Sequence, residues 1–278
     1  MTVVVPCHKG DQHQAERLLK WIAELGKVDA TCVLFCAKDC NHPYLLSLAQ
    51  CAFITAVWEE DRENIKCPWS QKIPGQLDAS GPNSLFRQLS MFFYLPKPKG
   101  PWLFLEPDAV PCRPDWYRLL KAEYAVAAQR GKPIMGFRVN SQTHPGSAPI
   151  PEHSSGVAIY PTNLPELCPS VWTCRQMAFD IAAAKEMCLH AHWTTQIVDH
   201  YMAPPISSMH ELDVRIPPEV CIYHANKCGS AIPFLRKRLG MASAEPEKAQ
   251  VAVVARPVPV QKQGGVWRFT NGQLERAA

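Results

Sequence analysis

The sequence predicts an α/β fold, in which a mostly parallel mixed sheet is flanked by helices in a single domain. The first observation behind this prediction is an alternation, between residues 3 and 130, of short apolar runs with segments whose apolar side chains recur at helical spacing. Such alternation is typical of βαβ units, whose strands lie parallel. The second observation is composition, because 278 residues, 47% of them hydrophobic and 19% charged, suffice for one large domain with a substantial core.

Each predicted strand is a short, mostly apolar run. We predict strands over residues 3–6, 31–37, 52–57, 102–105, 156–160 and 220–224.

The predicted helices carry apolar residues three or four positions apart. Gly26 ends one of them and Gly131 follows another, both as stop signals, and Asn83 is a good N-cap for a third. These helices cover residues 14–26, 43–50, 83–95, 115–130, 178–189 and 193–202. Residues 61–82 and 140–155 are polar and rich in residues that break regular structure, which predicts two long loops.

The composition changes near Gly240, after which prolines are frequent and apolar periodicity is weak. We therefore predict a domain over residues 1–239, followed by a linker and an irregular C-terminal tail over residues 240–278. The short apolar segment at residues 265–269 could dock onto the domain or onto a partner, and the sequence leaves the oligomeric state open.

Net charge and cysteine content exclude few classes of function. A formal charge of +4 permits contact with a polyanion without arguing for it. Many of the 12 cysteines lie in apolar runs and none forms a CxxC pair, which favours buried free thiols in a reducing cytoplasm over the alternative of zinc ligands. We expect neither a secretory signal nor a membrane span, because the chain starts without a long apolar run and contains no stretch of about 18 apolar residues.

The most informative stretch is PWLFLEPDAVPCRP at residues 101–114. Four apolar residues predict a buried strand, and Glu106 and Asp108 follow it. Ligands of open α/β sheets bind outside the carboxyl ends of the strands. Two hard oxygen ligands there suit a divalent cation that carries a diphosphate, although a solvated turn is the alternative. The chain has neither GxGxxG after its first strand nor GxxxxGK[ST], so this acidic pair carries the nucleotide hypothesis.

Further polar residues follow other predicted strands. His224 ends the run at residues 220–224, where an imidazole could join a carboxylate on a metal ion, and Lys227 close behind it suits phosphate oxygens. At the end of the first strand, Pro6, His8 and Asp11 are placed to contact a base or ribose.

Asn83 and Arg87 stand one helical turn apart and are candidates for contact with the same nucleotide. The structural alternatives are a plain helix cap for Asn83 and a surface position for Arg87.

Taken in order, these segments resemble a nucleotide-sugar glycosyltransferase of the GT-A type. The resembling segments are VVVPCHKGD at 3–11, GPNSLFR at 81–87, LFLEPDAVP at 103–111, SGVAIYP at 155–161 and YHANKCGSAI at 223–232. The resemblance covers about residues 1–235 and leaves out the tail. It implies a hexosyltransferase-like enzyme with a single GT-A domain, in which Mn²⁺ or Mg²⁺ holds the diphosphate of the sugar donor.

The resemblance also implies roles for individual residues. Asp108 would bind the metal directly, and Glu106 would contact it through water or contact the donor ribose. His224 would complete the metal shell, and Lys227 would touch phosphate. The first acid is Glu rather than the more usual Asp, so the sequence departs from the family pattern at Glu106.

More loosely, the pattern resembles phage-encoded transferases, some of which modify hydroxymethylated bases in DNA. That resemblance implies DNA as one acceptor hypothesis and the host cytoplasm as the location. The basic cluster of Arg236, Lys237 and Arg238 could contact a phosphate backbone or simply end a helix.

The expected reaction transfers a sugar from a nucleoside-diphosphate sugar to a hydroxyl acceptor. The sequence leaves the stereochemistry open. An inverting enzyme needs a general base, for which Asp180, Glu152 and His153 are candidates, whereas a retaining enzyme does not need one. Alternatively, Asp180 caps a helix and the other two are solvated loop residues. Other functions stay open: transfer to a cell-surface glycan or small molecule, nucleotidyl transfer, or a non-catalytic module that binds sugar or nucleic acid.

Overall fold

The computed structural model of the protein describes most of the chain. The described residues are 1–61, 80–97, 99–142, 149–173, 177–200, 203–224, 226–241, 267–270 and 273–276. The chain divides into two compact units, Met1–Ala242 and Ser243–Ala278, and each is described by itself.

The structure contains twelve strands within the described residues. They are β1 (Thr2–Cys7), β2 (Val28–Cys36), β3 (Phe53–Glu60), β4 (Trp102–Phe104), β5 (Val110–Pro111), β6 (Ile134–Val139), β7 (His153–Tyr160), β8 (Ala191–Trp193), β9 (Ile197–Asp199), β10 (Ile222–His224), β11 (Trp267–Thr270) and β12 (Gln273–Arg276).

Ten helices connect or cover these strands in the same part of the chain. They are α1 (Gln12–Leu25), α2 (His42–Ala52), α3 (Ser80–Tyr94), α4 (Trp116–Gln129), α5 (Leu164–Leu167), α6 (Ser170–Thr173), α7 (Phe179–Ala182), α8 (Ala184–His190), α9 (Met209–Arg215) and α10 (Ala231–Arg238). None of the helices that the structure describes has the length and apolar content needed to cross a membrane.

The main sheet has seven strands in the order β3-β2-β1-β4-β7-β6-β8. Strand β1 lies parallel to β2 and β4, β2 lies parallel to β3, and β6 lies parallel to β8. Only β7 among these seven runs the other way, antiparallel to β4 and β6. The prediction of a mostly parallel mixed sheet is therefore confirmed, and the carboxyl ends of β1, β2 and β4 lie along one edge.

Both faces of this sheet are buried. Along β1, Val3 and Val5 belong to one apolar cluster with α1 and α4, whereas Val4 belongs to a second cluster with α3. A strand buried on both faces must be apolar at every position, which explains why the sequence shows continuous runs instead of alternation. Each such side chain contributes about 1.5–3 kcal/mol through burial.

A second, three-stranded sheet has the order β5-β10-β9. Strand β10 pairs antiparallel with β5, with Ile222 opposite Pro111, and parallel with β9, with His224 opposite Asp199. Because β5 follows the acidic turn after β4 directly, this small sheet brings the end of β10 to that turn.

Several sequence predictions are wrong in detail. The predicted helix over residues 193–202 is wrong for residues 193–200, which contain the end of β8 and β9, because pairing with β6 and β10 overrides the local helical spacing. Residues 201 and 202 of this prediction lie outside the described residues. The predicted helix over residues 178–189 is divided at Ala183 into α7 and α8. Strand β6 was not predicted at all.

The predicted start of α3 and the predicted loops also need correction. Asn83 does not cap a helix, because α3 already begins at Ser80. Residues 153–155, predicted as loop, are the first three residues of β7. Residues 62–79 and 143–148 of the two predicted loops lie outside the described residues.

The second unit contains an antiparallel pair of strands. Strand β11 pairs with β12, with Trp267 opposite Arg276 and Thr270 opposite Gln273. Most of the predicted linker and tail, residues 242–266, lies outside the described residues.

Candidate metal and sugar-donor site

Three side chains from two distant parts of the sequence meet beyond β4. One ligand atom each from Glu106, Asp108 and His224 lies within 4.8 Å of the other two. His224 Nε2 is 3.1 Å from Asp108 Oδ1 and 3.4 Å from Glu106 Oε2. Only 8% of the Asp108 side chain and 13% of the His224 side chain are exposed, against 33% for Glu106. The trio therefore forms a largely buried cluster with its open side at Glu106.

The backbone around Asp108 explains how these residues meet. Leu105 N donates to Val4 O at 2.9 Å, which extends the pairing of β4 with β1. Ala109 N then donates to Glu106 O at 2.9 Å and closes a tight turn that presents both acids. Beyond β10, Asn226 N donates to Asp108 O at 2.8 Å, so the turn is joined to the segment that follows His224.

The donor set fits a divalent cation. In an octahedral site with bonds of about 2.1 Å, neighbouring ligand atoms lie about 3.0 Å apart. The separations of 3.1 and 3.4 Å around His224 Nε2 are close to that spacing. Two carboxylates and one imidazole suit Mn²⁺, and the carboxylates alone suit Mg²⁺. Glu106, Asp108 and His224, the three ligands that the resemblance implies, lie together and could therefore hold such an ion.

The electrostatics of the cluster favour a positive charge at its centre. Burial by itself would raise the pKa of Asp108, but the hydrogen bond and charge of His224, with the charge of Lys227, hold that pKa below its usual value. Burial would lower the pKa of His224, but Glu106, Asp108 and Asp199 raise it well above its usual value. A positive charge is thus stabilised beside Asp108, and a divalent cation would supply that charge by replacing the Nε2 proton of His224.

Asp199 is the member of the site that sequence reasoning missed. Its Oδ2 lies 2.9 Å from His224 Nδ1 and accepts a hydrogen bond of 2.6 Å from Ser155 Oγ. The available signal was the apolar pair Ile197-Val198 followed by an acid. That pattern marks the end of a strand, but it was assigned to a helix.

Gly156 allows β7 to pass close to the cluster. A Cβ atom added at Gly156 would lie 2.6 Å from Glu106 Oε1 and 3.9 Å from Phe179 Cζ. A larger residue would therefore displace the Glu106 carboxylate, so glycine at this position allows β7 to lie close to Glu106.

The segment that carries Lys227 is held by Arg17 of α1. Arg17 Nη2 donates to Lys227 O at 2.6 Å and to Asn226 O at 3.3 Å. Gly229 has a φ of +78°, and a Cβ there would lie 2.7 Å from Arg17 Cδ. The exposed Lys227 side chain thus projects from a backbone that is fixed beside Asp108.

Asp180 lies in the first turn of α7, and Ala178 takes the N-cap position instead. Its Oδ1 accepts a hydrogen bond of 2.9 Å from Ile181 N. Burial raises the pKa of Asp180 to about 6, His153 acts against this rise, and Glu106 adds to it. Asp180 is therefore within electrostatic reach of the acidic cluster.

Other candidates for the general base have local partners. Glu152 Oε2 forms an ion pair of 2.5 Å with Arg138 Nη2. His153 begins β7, is buried, and places Nδ1 2.8 Å from Pro151 O.

The candidates at the end of β1 lie at the carboxyl edge of the sheet. Pro6 is a buried strand residue opposite Phe35. The exposed His8 places Nε2 3.2 Å from Asp11 Oδ2, and its backbone N donates to Asp11 Oδ1 at 2.8 Å. These contacts shape the turn into α1.

The two candidates on α3 differ in burial. Asn83 is fully buried, its Nδ2 donates to Met177 O at 2.8 Å, and its Oδ1 has no hydrogen-bond partner among the described residues. Arg87 is partly buried one turn later. Asn83 thus ties α3 to the segment that leads to α7.

Two members of the basic cluster are already paired. Arg236 Nε donates to Glu24 Oε2 at 2.8 Å, and Arg238 Nη2 donates to Asp213 Oδ1 at 2.7 Å. These pairs attach the last turn of α10 to α1 and α9. They reduce the positive charge that this cluster could offer to a phosphate backbone.

No protein-family model and no curated protein matches this sequence. Among solved structures, the bifunctional glycosyltransferase WbbM matches 88% of this chain and 50% of its own, with a TM-score of 0.51 and 10% sequence identity. This chain therefore spans about half the length of that protein. The galactosyltransferase LgtC, solved in complex with donor and acceptor sugar analogues, matches 89% of this chain and 98% of its own, with a TM-score of 0.49 and 9% identity. The sheet order and the match to WbbM show that this chain has the fold of the GT-A type glycosyltransferases.

Proposed function

We propose that the protein is a metal-dependent glycosyltransferase, which moves a sugar from a nucleoside-diphosphate sugar to a hydroxyl acceptor. The observation that carries this proposal is the convergence of Glu106, Asp108 and His224 within 4.8 Å at the carboxyl edge of a GT-A sheet. Ligands of such sheets bind at that edge. The GT-A fold supports the proposal, while donor and acceptor are inferred from the chemistry of the site.

Glu106, Asp108 and His224 would hold the cation. When bound, a divalent cation supplies positive charge that binds the diphosphate and stabilises it as a leaving group. Lys227 would add a second positive charge at the phosphate oxygens. Because Arg17 fixes the backbone of Lys227, the point from which this side chain extends is fixed before the sugar donor binds.

The remaining contacts to the sugar donor are assigned by position. Pro6, His8 and Asp11 stand at the end of β1, where a base or ribose would reach the same sheet edge as the diphosphate. We assign the partly buried Arg87 to the sugar donor as well, and Asn83, which is fully buried, would support this contact by joining α3 to Met177.

Asp180 is the better candidate for the general base of an inverting reaction. With its pKa raised to about 6, it is mostly ionised at pH 7 but more basic than an ordinary carboxylate. Glu152 is less suited, because its carboxylate is engaged by Arg138.

The test is turnover with a panel of nucleoside-diphosphate sugars and Mn²⁺, with glycans, small alcohols and hydroxymethylated DNA as acceptors. Release of nucleoside diphosphate with a glycosylated acceptor is the expected result. Asp108→Asn should lower turnover at least about 100-fold, because a cation ligand is lost. Asp115→Asn is the matched control, since Asp115 pairs with Arg113 and Arg118 on the surface of the same region.

Two results would overturn the proposal. Release of a sugar phosphate from these donors, or of pyrophosphate when nucleoside triphosphates replace them, would assign the site to nucleotidyl transfer. Binding of sugar or nucleic acid without turnover, unchanged in Asp108→Asn, would identify a non-catalytic module.

A further inference from the structure

A buried chain of hydrogen bonds lies behind the cluster. Ser155 Oγ donates to Asp199 Oδ2 at 2.6 Å, and the same oxygen lies 2.9 Å from His224 Nδ1. Ser155 is 2% exposed, and the side chains of Asp199 and His224 are 11% and 13% exposed. The three residues come from β7, β9 and β10, so the chain joins the main sheet to the small sheet.

This arrangement distinguishes the two nitrogens of the imidazole. Nδ1 faces Asp199, and Nε2 faces Asp108 and Glu106 on the opposite side of the ring. A ring whose Nδ1–H donates to Asp199 keeps the Nε2 lone pair available to a cation. The parallel register places His224 directly opposite Asp199, so the backbone pairing itself maintains this orientation.

Holding a histidine in place with a buried carboxylate costs desolvation free energy. Asp199 Oδ1 is buried and has no hydrogen-bond partner among the described residues. A backbone carbonyl or an uncharged side chain would hold the ring without burying this oxygen. The cost is explained if the negative charge strengthens the imidazole as a ligand, since a carboxylate behind a ligating histidine fixes its tautomer and raises its basicity.

We propose that Asp199, itself held by Ser155, is a positioning residue that directs His224 Nε2 toward the cation. This inference rests on the proposed function, because it takes Glu106, Asp108 and His224 as the cation ligands. It adds Asp199 and Ser155 to the site as groups that act through His224 without touching the cation.

The test is the affinity of the full chain for Mn²⁺ alone, measured by titration calorimetry and by the electron paramagnetic resonance of free Mn²⁺. Asp199→Asn should weaken binding about 10- to 100-fold. Ser155→Ala should give a smaller loss in the same direction, because it removes only the support of Asp199. The matched control is Asp213→Asn, because the Asp213 carboxylate on α9 pairs with Arg238 of α10, and this variant should leave the affinity unchanged.

A second measurement separates positioning from mere structural support. In ¹⁵N-labelled protein with Zn²⁺, a diamagnetic probe that accepts both carboxylate and imidazole ligands, the His224 imidazole should show a protonated Nδ1 and an Nε2 shifted by the cation, with the signals assigned from their loss in His224→Gln. Folded Asp199→Asn or Ser155→Ala protein should show a mixture of ring states instead.

The outcomes distinguish this inference from the proposed function. Wild-type protein that binds no Mn²⁺ would overturn the metal site and this inference together. Wild-type binding with unchanged affinity and ring signals in Asp199→Asn and Ser155→Ala would overturn the positioning role alone and leave the metal-dependent transferase in place.

Discussion

Gly156→Ala is a perturbation whose size follows directly from the structure. The added Cβ would lie 2.6 Å from Glu106 Oε1, whereas ordinary contact begins near 3.4 Å. The carboxylate must therefore move by 3.4 − 2.6 = 0.8 Å or more. The clashing atom is the end of a flexible side chain, so we expect the free energy of unfolding to change by less than about 1 kcal/mol.

The same shift has a much larger effect on cation binding than on stability. A site must hold its ligands within about 0.5 Å of the productive geometry, and a displacement of about 1 Å can lower a rate about 100-fold. We therefore expect Gly156→Ala to weaken Mn²⁺ binding and to lower kcat/KM by about 10- to 100-fold. Calorimetric Mn²⁺ titration and nucleoside-diphosphate release would measure the two effects, and urea denaturation would measure stability.

A double variant provides the control. Glu106→Asp shortens the side chain and removes the clashing atom, so the two substitutions together should lose less than the sum of their separate losses. If Gly156→Ala bound Mn²⁺ and turned over like the wild type, the assignment of Glu106 to the cation would be refuted.

Three further predictions concern pH, the loop of Lys227 and metal removal. Burial raises the pKa of Asp180 from 3.8 to about 6, so the folded protein binds this proton more tightly than the unfolded chain and stability falls as pH rises through that window. The free energy of unfolding should fall by about 3 kcal/mol in all. Denaturation at pH 4 and pH 7.5 should show this fall in the wild type and not in Asp180→Asn. Equal pH dependence of the two proteins would contradict the prediction. In Arg17→Lys, the lysine cannot reach both the Asn226 and Lys227 carbonyls. Amide hydrogen exchange at Gly229 should therefore accelerate, and the KM for the sugar donor should rise. Unchanged exchange would show that Arg17 does not hold the loop. Dialysis against EDTA should stop turnover and Mn²⁺ should restore it, and turnover that survives EDTA would exclude a required cation.

The acidic pair was predictable because its signal is local. The buried run over residues 102–105 and the two acids after it lie within seven residues, and the GT-A sheet places ligands at such strand ends. The helices α1, α2 and α4 were also predicted correctly, since their apolar faces repeat within the segments themselves. Asn83 misled the prediction, because a good capping residue inside a longer helix has the same local sequence as a true cap.

Sequence alone thus determined the fold class, the acidic pair and His224 as a candidate ligand, because each depends on the order of neighbouring residues. Only the tertiary structure decided that His224 Nε2 stands 3.1 Å from Asp108 Oδ1, since this requires β10 to pair with β5 across more than a hundred residues. Asp199 belongs to the site for the same reason. The local spacing around it predicts a helix, and its place as a strand residue opposite His224 arises from hydrogen bonds that only the folded chain can form.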